Sequence, residues 1–160
     1  MRIVLQRVRQ ASVTVYDEKQ PEGRLTGDIS QGLVLLVGFR DGDQTESVSR
    51  LAKKILELRI FEDDRSKMNR SVQDIGGGLL VVSQFTLYGD TRKGRRPSFT
   101  GTMPPEEAEK MYQRLIDLLS GSGLKIASGV FGAKMKVEII NDGPVTFLLE
   151  DEMSPSAPTG

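Results

Sequence analysis

Histidine and cysteine are both absent from this chain of 160 residues. Without cysteine, the chain has no disulfide, no thiolate nucleophile and no thiolate metal site. Without histidine, it lacks the usual general base and the commonest metal ligand. Hydrolytic triads that depend on either residue are therefore excluded. An enzyme of this composition must use hydroxyls, carboxylates, backbone dipoles, an oxygen-ligated ion or groups of its substrate.

Charge of one sign is not in excess either, because lysine plus arginine and aspartate plus glutamate both number 22. A chain with zero formal net charge has no global attraction to nucleic acid or membranes, so contact with RNA would need a local basic patch. No ion-binding signature is found, and the acidic stretch Glu62 to Asp64 is interpreted as a turn. We therefore expect neither a metal nor a cofactor.

Long hydrophobic runs are also lacking. The longest run, Leu33 to Phe39, contains Gly38 and is far shorter than the roughly 20 residues of a membrane-spanning helix. The N-terminal segment is interrupted by charge too often to resemble a signal peptide. We therefore expect a cytoplasmic protein that does not associate with membranes.

Short apolar runs predict a protein rich in strands. The length suits one well-buried core and is short for two domains. The run from Leu33 is continuous, which is typical of a strand covered on both faces. The predicted strands are Ile3 to Val8, Ala11 to Val15, Leu33 to Val37, Leu79 to Leu87, Met135 to Ile140 and Val145 to Leu149.

Two further segments show helical spacing. The first helix should be capped by Asp43 or Thr45 and run to about Ile60. The second should begin near Pro104 and end at Gly121. Its predicted buried face is Ala108, Met111, Tyr112, Leu115, Ile116 and Leu119.

Together these elements predict a single α+β domain over residues 1–150, with about six strands and two helices. The sheets should be mostly antiparallel, in a barrel or sandwich arrangement that periodicity does not distinguish. The acidic tail over residues 151–160 contains serine and proline and is predicted to be disordered.

The stretch from Ser83 to Tyr88 becomes polar directly after an apolar run. Strand alternation would place Gln84 and Thr86 on the face opposite to Ser83 and Phe85. One interpretation is a strand that leaves the core, and the other is a pocket wall lined by these side chains and nearby backbone N–H groups. Thr86 is a poor covalent nucleophile here, because no histidine is available to activate it.

A Gly143-Pro144 step separates the last two predicted strands. Proline donates no ladder hydrogen bond and therefore belongs at an edge, a turn or a bulge. The simple interpretation is a tight hairpin turn. The functional interpretation is a cis peptide whose flanking carbonyl oxygens face one small cation, such as an α-ammonium group, and obstruct a side chain of the wrong hand.

One basic cluster, Arg92, Lys93, Arg95 and Arg96, follows the polar stretch closely. Such a cluster is usually only solvated, but it would also suit phosphate contacts that carry no sequence specificity. Phe99 would either stack on a base or anchor this loop.

Five blocks resemble, in the same order, those of the D-aminoacyl-tRNA deacylases. They are Gln6-Arg7-Val8, Lys67-Met68-Asn69, Ser83 to Leu87, Arg96 to Phe99 and Asn141 to Phe147. The resemblance covers essentially the whole chain apart from the tail. It implies a chirality-proofreading homodimer, with no other protein partner, that hydrolyses the ester of D-aminoacyl-tRNA and acts also on glycyl-tRNA.

The resemblance also implies roles for individual residues. Ser83, Gln84, Phe85 and Thr86 would form the catalytic wall of the pocket. Gly143 and Pro144, held by Arg7, would enter the pocket of the partner subunit, bind the amino group and exclude L-substrates. Chemistry would rely on the 2′-hydroxyl of the terminal adenosine and on backbone N–H groups that stabilise the oxyanion, with Thr86 positioning atoms.

Two other functions fit the same residues. A non-catalytic RNA-binding module would use the basic loop and stacking aromatics to recognise the tRNA acceptor end. A structural or interaction protein would use the Gly143-Pro144 step only as a turn. A change at Gly143 separates these possibilities, because only the enzyme has a stereochemical preference to lose.

Overall fold

The computed structural model describes residues 1–151, so the predicted tail lies outside the described residues except for Asp151. The helices are α1 (Thr45–Glu57) and α2 (Pro105–Ser120). The strands are β1 (Arg2–Tyr16), β2 (Arg24–Ile29), β3 (Gly32–Gly38), β4 (Phe61–Glu62), β5 (Met68–Arg70), β6 (Gly78–Ser83), β7 (Ile126–Ser128) and β8 (Lys134–Glu150).

Six of the strands form one mixed sheet in the order β2-β1-β3-β6-β7, with β8 pairing along β1. The pairs β3–β6 and β6–β7 are parallel, whereas β1 is antiparallel to β2, β3 and β8. Contacts between β2 and β7 bring the sheet close to a closed barrel. Strands β4 and β5 form a separate hairpin. This arrangement confirms the predicted α+β fold.

The two faces of this sheet bury different cores, as the alternation of side chains along a strand requires. On one face, Leu35 and Val81 pack with α1 and α2. On the other face, Val34 and Leu80 pack beneath the second half of β1, including Val13. The continuous apolar run of β3 is explained by this double coverage, which the sequence predicted correctly.

Two predicted strand boundaries were wrong, because a bulge interrupts the apolar pattern of the sequence in the same way as the end of a strand. The two strands predicted before Tyr16 are one strand, β1, with a register shift between Val8 and Gln10. The last two predicted strands are likewise one strand, β8. Strands β2, β4, β5 and β7 were not predicted, so the described residues contain eight strands where about six were expected.

The strand predicted to run to Leu87 ends instead at Ser83, and Phe85–Tyr88 form a 3₁₀ turn. The N–H of Gln84 still donates to the carbonyl of Val37, 2.7 Å away. Because β3 ends at Gly38, the residues after Gln84 have no partner in β3 for strand pairing, and they form the 3₁₀ turn instead. The predicted alternation of faces from Ser83 to Tyr88 is therefore wrong.

The helix predictions were more accurate. Helix α2 ends with Gly121 as C-cap and buries the predicted face, except that Ile116 is only partly buried. Helix α1 ends at Glu57, before Ile60, and its N-cap residue is Gln44. Asp43 does not cap α1, because its carboxylate accepts the terminal ammonium of Met1 at 2.5 Å and the N–H of Arg40 at 2.9 Å. Within residues 1–151, neither helix has the length and apolar character needed to cross a membrane.

Candidate active site

A cleft of about 550 Å³ opens where β3 and β6 end. It is mostly apolar, and none of its lining residues carries an ionisable side chain, so chemistry here has no acidic or basic side chain to draw on. The lining residues are Val37, Gly38, Phe39, Val82, Ser83, Gln84, Phe85, Thr102, Met103, Pro105, Ala108, Phe131, Gly132, Ala133, Met135 and Val137.

The polar wall of this cleft comes from the 3₁₀ turn after β6. A turn of this kind leaves its leading backbone N–H groups, here those of Phe85 and Thr86, without a partner inside the turn. The start of this turn packs closely against β3. A Cβ on Gly38 would lie only 2.9 Å from the carbonyl oxygen of Gln84. Phe85 lines the cleft and Thr86 follows it at the rim, so these N–H groups belong to residues beside an apolar cavity.

The predicted catalytic residues divide between the cleft and its rim. Ser83, Gln84 and Phe85 line the cleft, whereas Thr86 is exposed beside it. The side-chain amide of Gln84 donates to the Thr86 hydroxyl, so the position of that oxygen is fixed by its neighbour. Phe99 packs edge-to-face on Phe85 with 5.1 Å between the ring centroids. Phe99 therefore anchors its loop to the cleft rim while remaining 38% exposed.

The opposite wall was not predicted from the sequence. Phe131 lies just before β8, and Met135 is one of the inward residues of β8 itself. Met103, from the segment preceding α2, completes this apolar side. Alternation along β8 gave a signal for Met135, but only its packing against the core cluster that contains Leu80 and Val82 brings it to the cleft that Ser83 lines.

The Gly143-Pro144 step lies in a wide bulge within β8, so the hairpin interpretation is wrong. Gln6 pairs with Thr146 and Val8 pairs with Asn141, which leaves only Arg7 opposite four residues of β8. The peptide bond between Gly143 and Pro144 is cis, and both residues are exposed. The bulge is thus an exposed excursion of the main chain from β8.

The buried side chain of Arg7 holds this bulge in place. Its Nε donates to the carbonyl of Asp142 at 3.0 Å and its Nη1 to the carbonyl of Ile60 at 2.7 Å. Only 5% of Arg7 is exposed. Because both acceptors are main-chain oxygens, Arg7 ties the bulge directly to the backbone that precedes β4.

The bulge and the cleft are separate within one chain. Gly143 and Arg7 border a second, polar crevice of about 740 Å³, and neither residue lines the first cleft. The predicted site residues are therefore brought into two groups: Ser83, Gln84, Phe85 and the adjacent Thr86 form one, and Arg7 with the bulge forms the other.

An uncovered apolar row lies on the sheet beside the bulge. Val4 pairs with Leu36 on one side and with Leu148 on the other, so the three side chains are neighbours on one face. Leu148 is 55% exposed, and the other two are partly exposed. Ile140 and Phe147 of β8 are also exposed. On this face of the sheet, the second half of β1 covers Val34 and Leu80 but leaves the row of Leu36, Val4 and Leu148 uncovered.

The basic loop extends beyond the cleft rim. Arg92 is neutralised by Asp90, with Nη2 and Oδ2 2.7 Å apart, and this contact lowers the pKa of the Asp90 carboxyl to about 2. Lys93, Arg95 and Arg96 are exposed. Among the ion pairs of residues 1–151, none involves these three cations.

The acidic stretch at Asp63 forms the turn of the β4–β5 hairpin. Asp63 accepts hydrogen bonds from the Asn69 side chain and from the backbone N–H groups of Lys67 and Arg65, which lower the pKa of its carboxyl. Throughout the described part of the chain, no group of three or more acidic side chains is arranged to hold a metal ion. The carboxylate oxygens of Asp63 are already occupied by hydrogen bonds within the hairpin.

The chain is similar to known proteins over nearly its full length. Residues 4–150 match the family model described as D-Tyr-tRNA(Tyr) deacylase. The chain is 54% identical over 150 residues to the D-aminoacyl-tRNA deacylase of Halothermothrix orenii, covering 94% of this chain and 97% of that protein. It is 52% identical to the D-aminoacyl-tRNA deacylase of Carboxydothermus hydrogenoformans, covering 94% and 99% respectively.

Two solved structures share the fold. One, described as c-Myc DNA Unwinding Element Binding Protein, has a TM-score of 0.85 and 40% identity, covering 96% of this chain and 100% of that one. The other, a probable eukaryotic D-amino acid tRNA deacylase, has a TM-score of 0.78 at 18% identity, covering 92% and 97%. At that lower identity, the second likeness concerns the fold alone.

Proposed function

The chain belongs to the D-Tyr-tRNA(Tyr) deacylase family, and from that membership we propose that it hydrolyses the ester bond of D-aminoacyl-tRNA, releasing the free D-amino acid and tRNA. The observation that carries the mechanism is the cleft, which combines the start of a 3₁₀ turn with a lining that has no ionisable side chain. A site of this kind suits an ester that is already labile and a reaction that needs mainly positioning and charge stabilisation.

Hydrolysis would proceed by attack of water on the ester carbonyl carbon. The bond from that carbon to the 3′-oxygen breaks, and the 2′-hydroxyl of the terminal adenosine relays a proton from the water to the leaving oxygen. The N–H groups of Phe85 and Thr86 would stabilise the oxyanion, each contributing about 2.7–4 kcal/mol to lowering the barrier. The Thr86 hydroxyl, held by Gln84, orients the reacting groups and forms no covalent intermediate.

Chiral selection would come from the Gly143-Pro144 bulge. Main-chain carbonyl oxygens accept hydrogen bonds from an α-ammonium group, and they obstruct a side chain that points towards them. A D-side chain would point away, and glycine has no side chain, so glycyl-tRNA would also be hydrolysed. Arg7 makes this selector rigid through its two bonds to main-chain carbonyls.

The working enzyme would be a homodimer. Within one chain, the bulge does not line the cleft, so a complete site needs the bulge of a second copy. The open apolar row of Leu36, Val4 and Leu148 lies beside the bulge and is the kind of surface that subunit contacts cover. A two-fold symmetric dimer would cover the apolar row of each subunit and place the bulge of each subunit at the cleft of the other.

A charge placed in this row tests the dimer. We expect Leu148→Asp to give a monomer and to abolish D-aminoacyl-tRNA hydrolysis, because burying an unpaired carboxylate in an interface is costly. Leu118→Asp is the matched control, since Leu118 is a 38% exposed leucine on α2. Analytical ultracentrifugation and single-turnover hydrolysis are the measurements. A monomeric wild type with full activity would contradict the proposed dimer.

The basic loop would hold the tRNA backbone near the rim of the cleft. Neutralising three phosphates gives a salt slope of about 2–3 in log K against log salt. We therefore expect replacement of Lys93, Arg95 and Arg96 by alanine to reduce the slope by about this amount. Arg92 should contribute less, because Asp90 already neutralises it. Replacement of Lys53, Lys54 and Lys110 on the helices is the control, and equal slopes in both triple variants would refute the assignment.

The function itself is tested by hydrolysis of D-tyrosyl-tRNA and L-tyrosyl-tRNA side by side with EDTA present. We expect rapid release from the D-ester alone, without any requirement for metal. A labelled acyl group trapped on Thr86 would contradict the non-covalent mechanism. Binding of tRNA without hydrolysis would instead favour a non-catalytic RNA-binding module. We propose a cytoplasmic location, where charged tRNA is used.

A further inference from the structure

The neck of the bulge in β8 is closed by side chains. Asn141 and Thr146 are the paired residues on either side of the four-residue excursion. The Oδ1 of Asn141 accepts the backbone N–H of Val145 at 2.9 Å, and its Nδ2 donates to the Thr146 hydroxyl at 3.1 Å. The N–H of Val145 needs an acceptor, which determines the orientation of the amide. One side chain therefore bonds both residues that follow Pro144.

A second amide extends this clasp across to the neighbouring strand. The Nε2 of Gln6 in β1 donates to the same Thr146 hydroxyl at 3.1 Å. The hydroxyl therefore accepts hydrogen bonds from Gln6 and Asn141, and this joins the neck of the bulge to the strand with which it pairs. This network lies on the solvent side of β8, whereas Arg7 bonds the carbonyl of Asp142 from the buried side.

The bulge is thus held at two different points. Arg7 holds its entry at Asp142, and Asn141 holds its exit at Val145. A chain segment held only at its entry can still rotate about its remaining backbone dihedrals, which moves the carbonyls of Gly143 and Pro144. Fixing both ends restricts these dihedrals and keeps the carbonyl directions constant, as preorganised recognition requires.

We propose that Asn141 is a positioning residue for stereochemical selection, which it serves by fixing the exit of the bulge and hence the carbonyls that meet the substrate's α-ammonium group. The proposal rests on the proposed deacylase function. Asn141 acts through the backbone of Val145 and does not itself contact the reacting atoms. A purely structural amide would affect stability and leave the ratio of D- to L-substrate hydrolysis unchanged.

The test compares Asn141→Leu, which removes the acceptor, with Asn141→Asp, which keeps one. In the aspartate variant, one carboxylate oxygen accepts the N–H of Val145 and the other accepts the Thr146 hydroxyl proton. The readouts are kcat/KM for D-tyrosyl-tRNA and L-tyrosyl-tRNA, together with the thermal midpoint. Gln113→Leu is the matched control, because Gln113 is an exposed amide on α2 that donates to Asp117 of the same helix.

We expect Asn141→Leu to lower the ratio of D- to L-hydrolysis by about tenfold to a hundredfold, the loss typical of slightly misplaced groups. Asn141→Asp should restore most of the ratio, and Gln113→Leu should leave it unchanged. If Asn141→Leu does not fold, Thr146→Val should lower the ratio in the same direction, because it removes the hydroxyl that accepts hydrogen bonds from Asn141 and Gln6.

An unchanged ratio in folded Asn141→Leu, or in Thr146→Val where that variant replaces it, would overturn the role of Asn141. Equal damage from the leucine and aspartate variants would overturn it as well. A wild-type protein that fails to distinguish the two esters would instead refute the proposed function, and the positioning role with it. The wild-type measurement therefore separates the two failures.

Discussion

Replacing Gly32 by alanine is expected to destabilise the fold strongly. A Cβ at this position would lie 1.9 Å from the carbonyl oxygen of Gly78 and 2.7 Å from its nitrogen. The two glycines are the first pair of the parallel β3–β6 ladder, in the buried centre of the sheet. Because the obstacle is backbone, the clash can be relieved only by separating the two strands.

The cost should reach or exceed the upper part of the range of about 1–3 kcal/mol for overpacked cores. That is a large share of a total stability of about 5–15 kcal/mol. Urea denaturation measures the loss, with Gly101→Ala as control, because a Cβ on Gly101 meets no atom of residues 1–151 within 4 Å. Equal midpoints for the two variants would show that β3 and β6 separate without significant cost.

The second large effect is expected at Gly143, where alanine should lower hydrolysis of D-aminoacyl-tRNA and weaken rejection of the L-ester. The residue has φ +134°, which an L-side chain rarely adopts, and a Cβ would lie 2.6 Å from Cγ2 of Val145. It would also lie 3.2 Å from Nη2 of Arg7. The bulge must therefore shift, and a displacement of this kind costs activity by about a hundredfold.

Gly42→Ala separates this effect from simple backbone strain. Gly42 also has a positive φ, +85°, but a Cβ there would contact nothing within 4 Å in the described part of the chain. Single-turnover rates on D- and L-esters should change for Gly143→Ala and remain normal for Gly42→Ala, with both proteins assayed well below their thermal midpoints. A Gly143→Ala enzyme with wild-type stereoselectivity would show that the bulge is not the selector.

The secondary structure was predictable wherever one local signal was sufficient. Helix α2 has prolines at its start, a glycine at its end and an apolar stripe between them, so its limits and its buried face were correctly predicted. Strand β3 was recognised from its continuous apolar run. Both features depend on the periodicity of the backbone, which neighbouring residues determine.

The bulges were not predictable in this way. In the sequence, Gly143-Pro144 interrupts an apolar pattern as a turn does, and the interruption at Arg9 has the same appearance. Whether the chain reverses or continues depends on the partner strand. Strand β1 runs past the interruption at Gly143-Pro144, and β8 runs past the one at Arg9. The 3₁₀ turn at Phe85 depends likewise on where its neighbour β3 ends.

By itself, the sequence determined the fold class, the absence of histidine and cysteine chemistry and the motifs that relate the chain to its family. Composition is independent of conformation, and short motifs are read along the chain. Only the tertiary structure decided that Ser83 and Met135 line one apolar cleft, that Arg7 bonds the bulge, and that this bulge does not line the cleft. These relations join residues far apart in the chain, and only the pairing of β1 with β8 and the packing of the sheet bring them together.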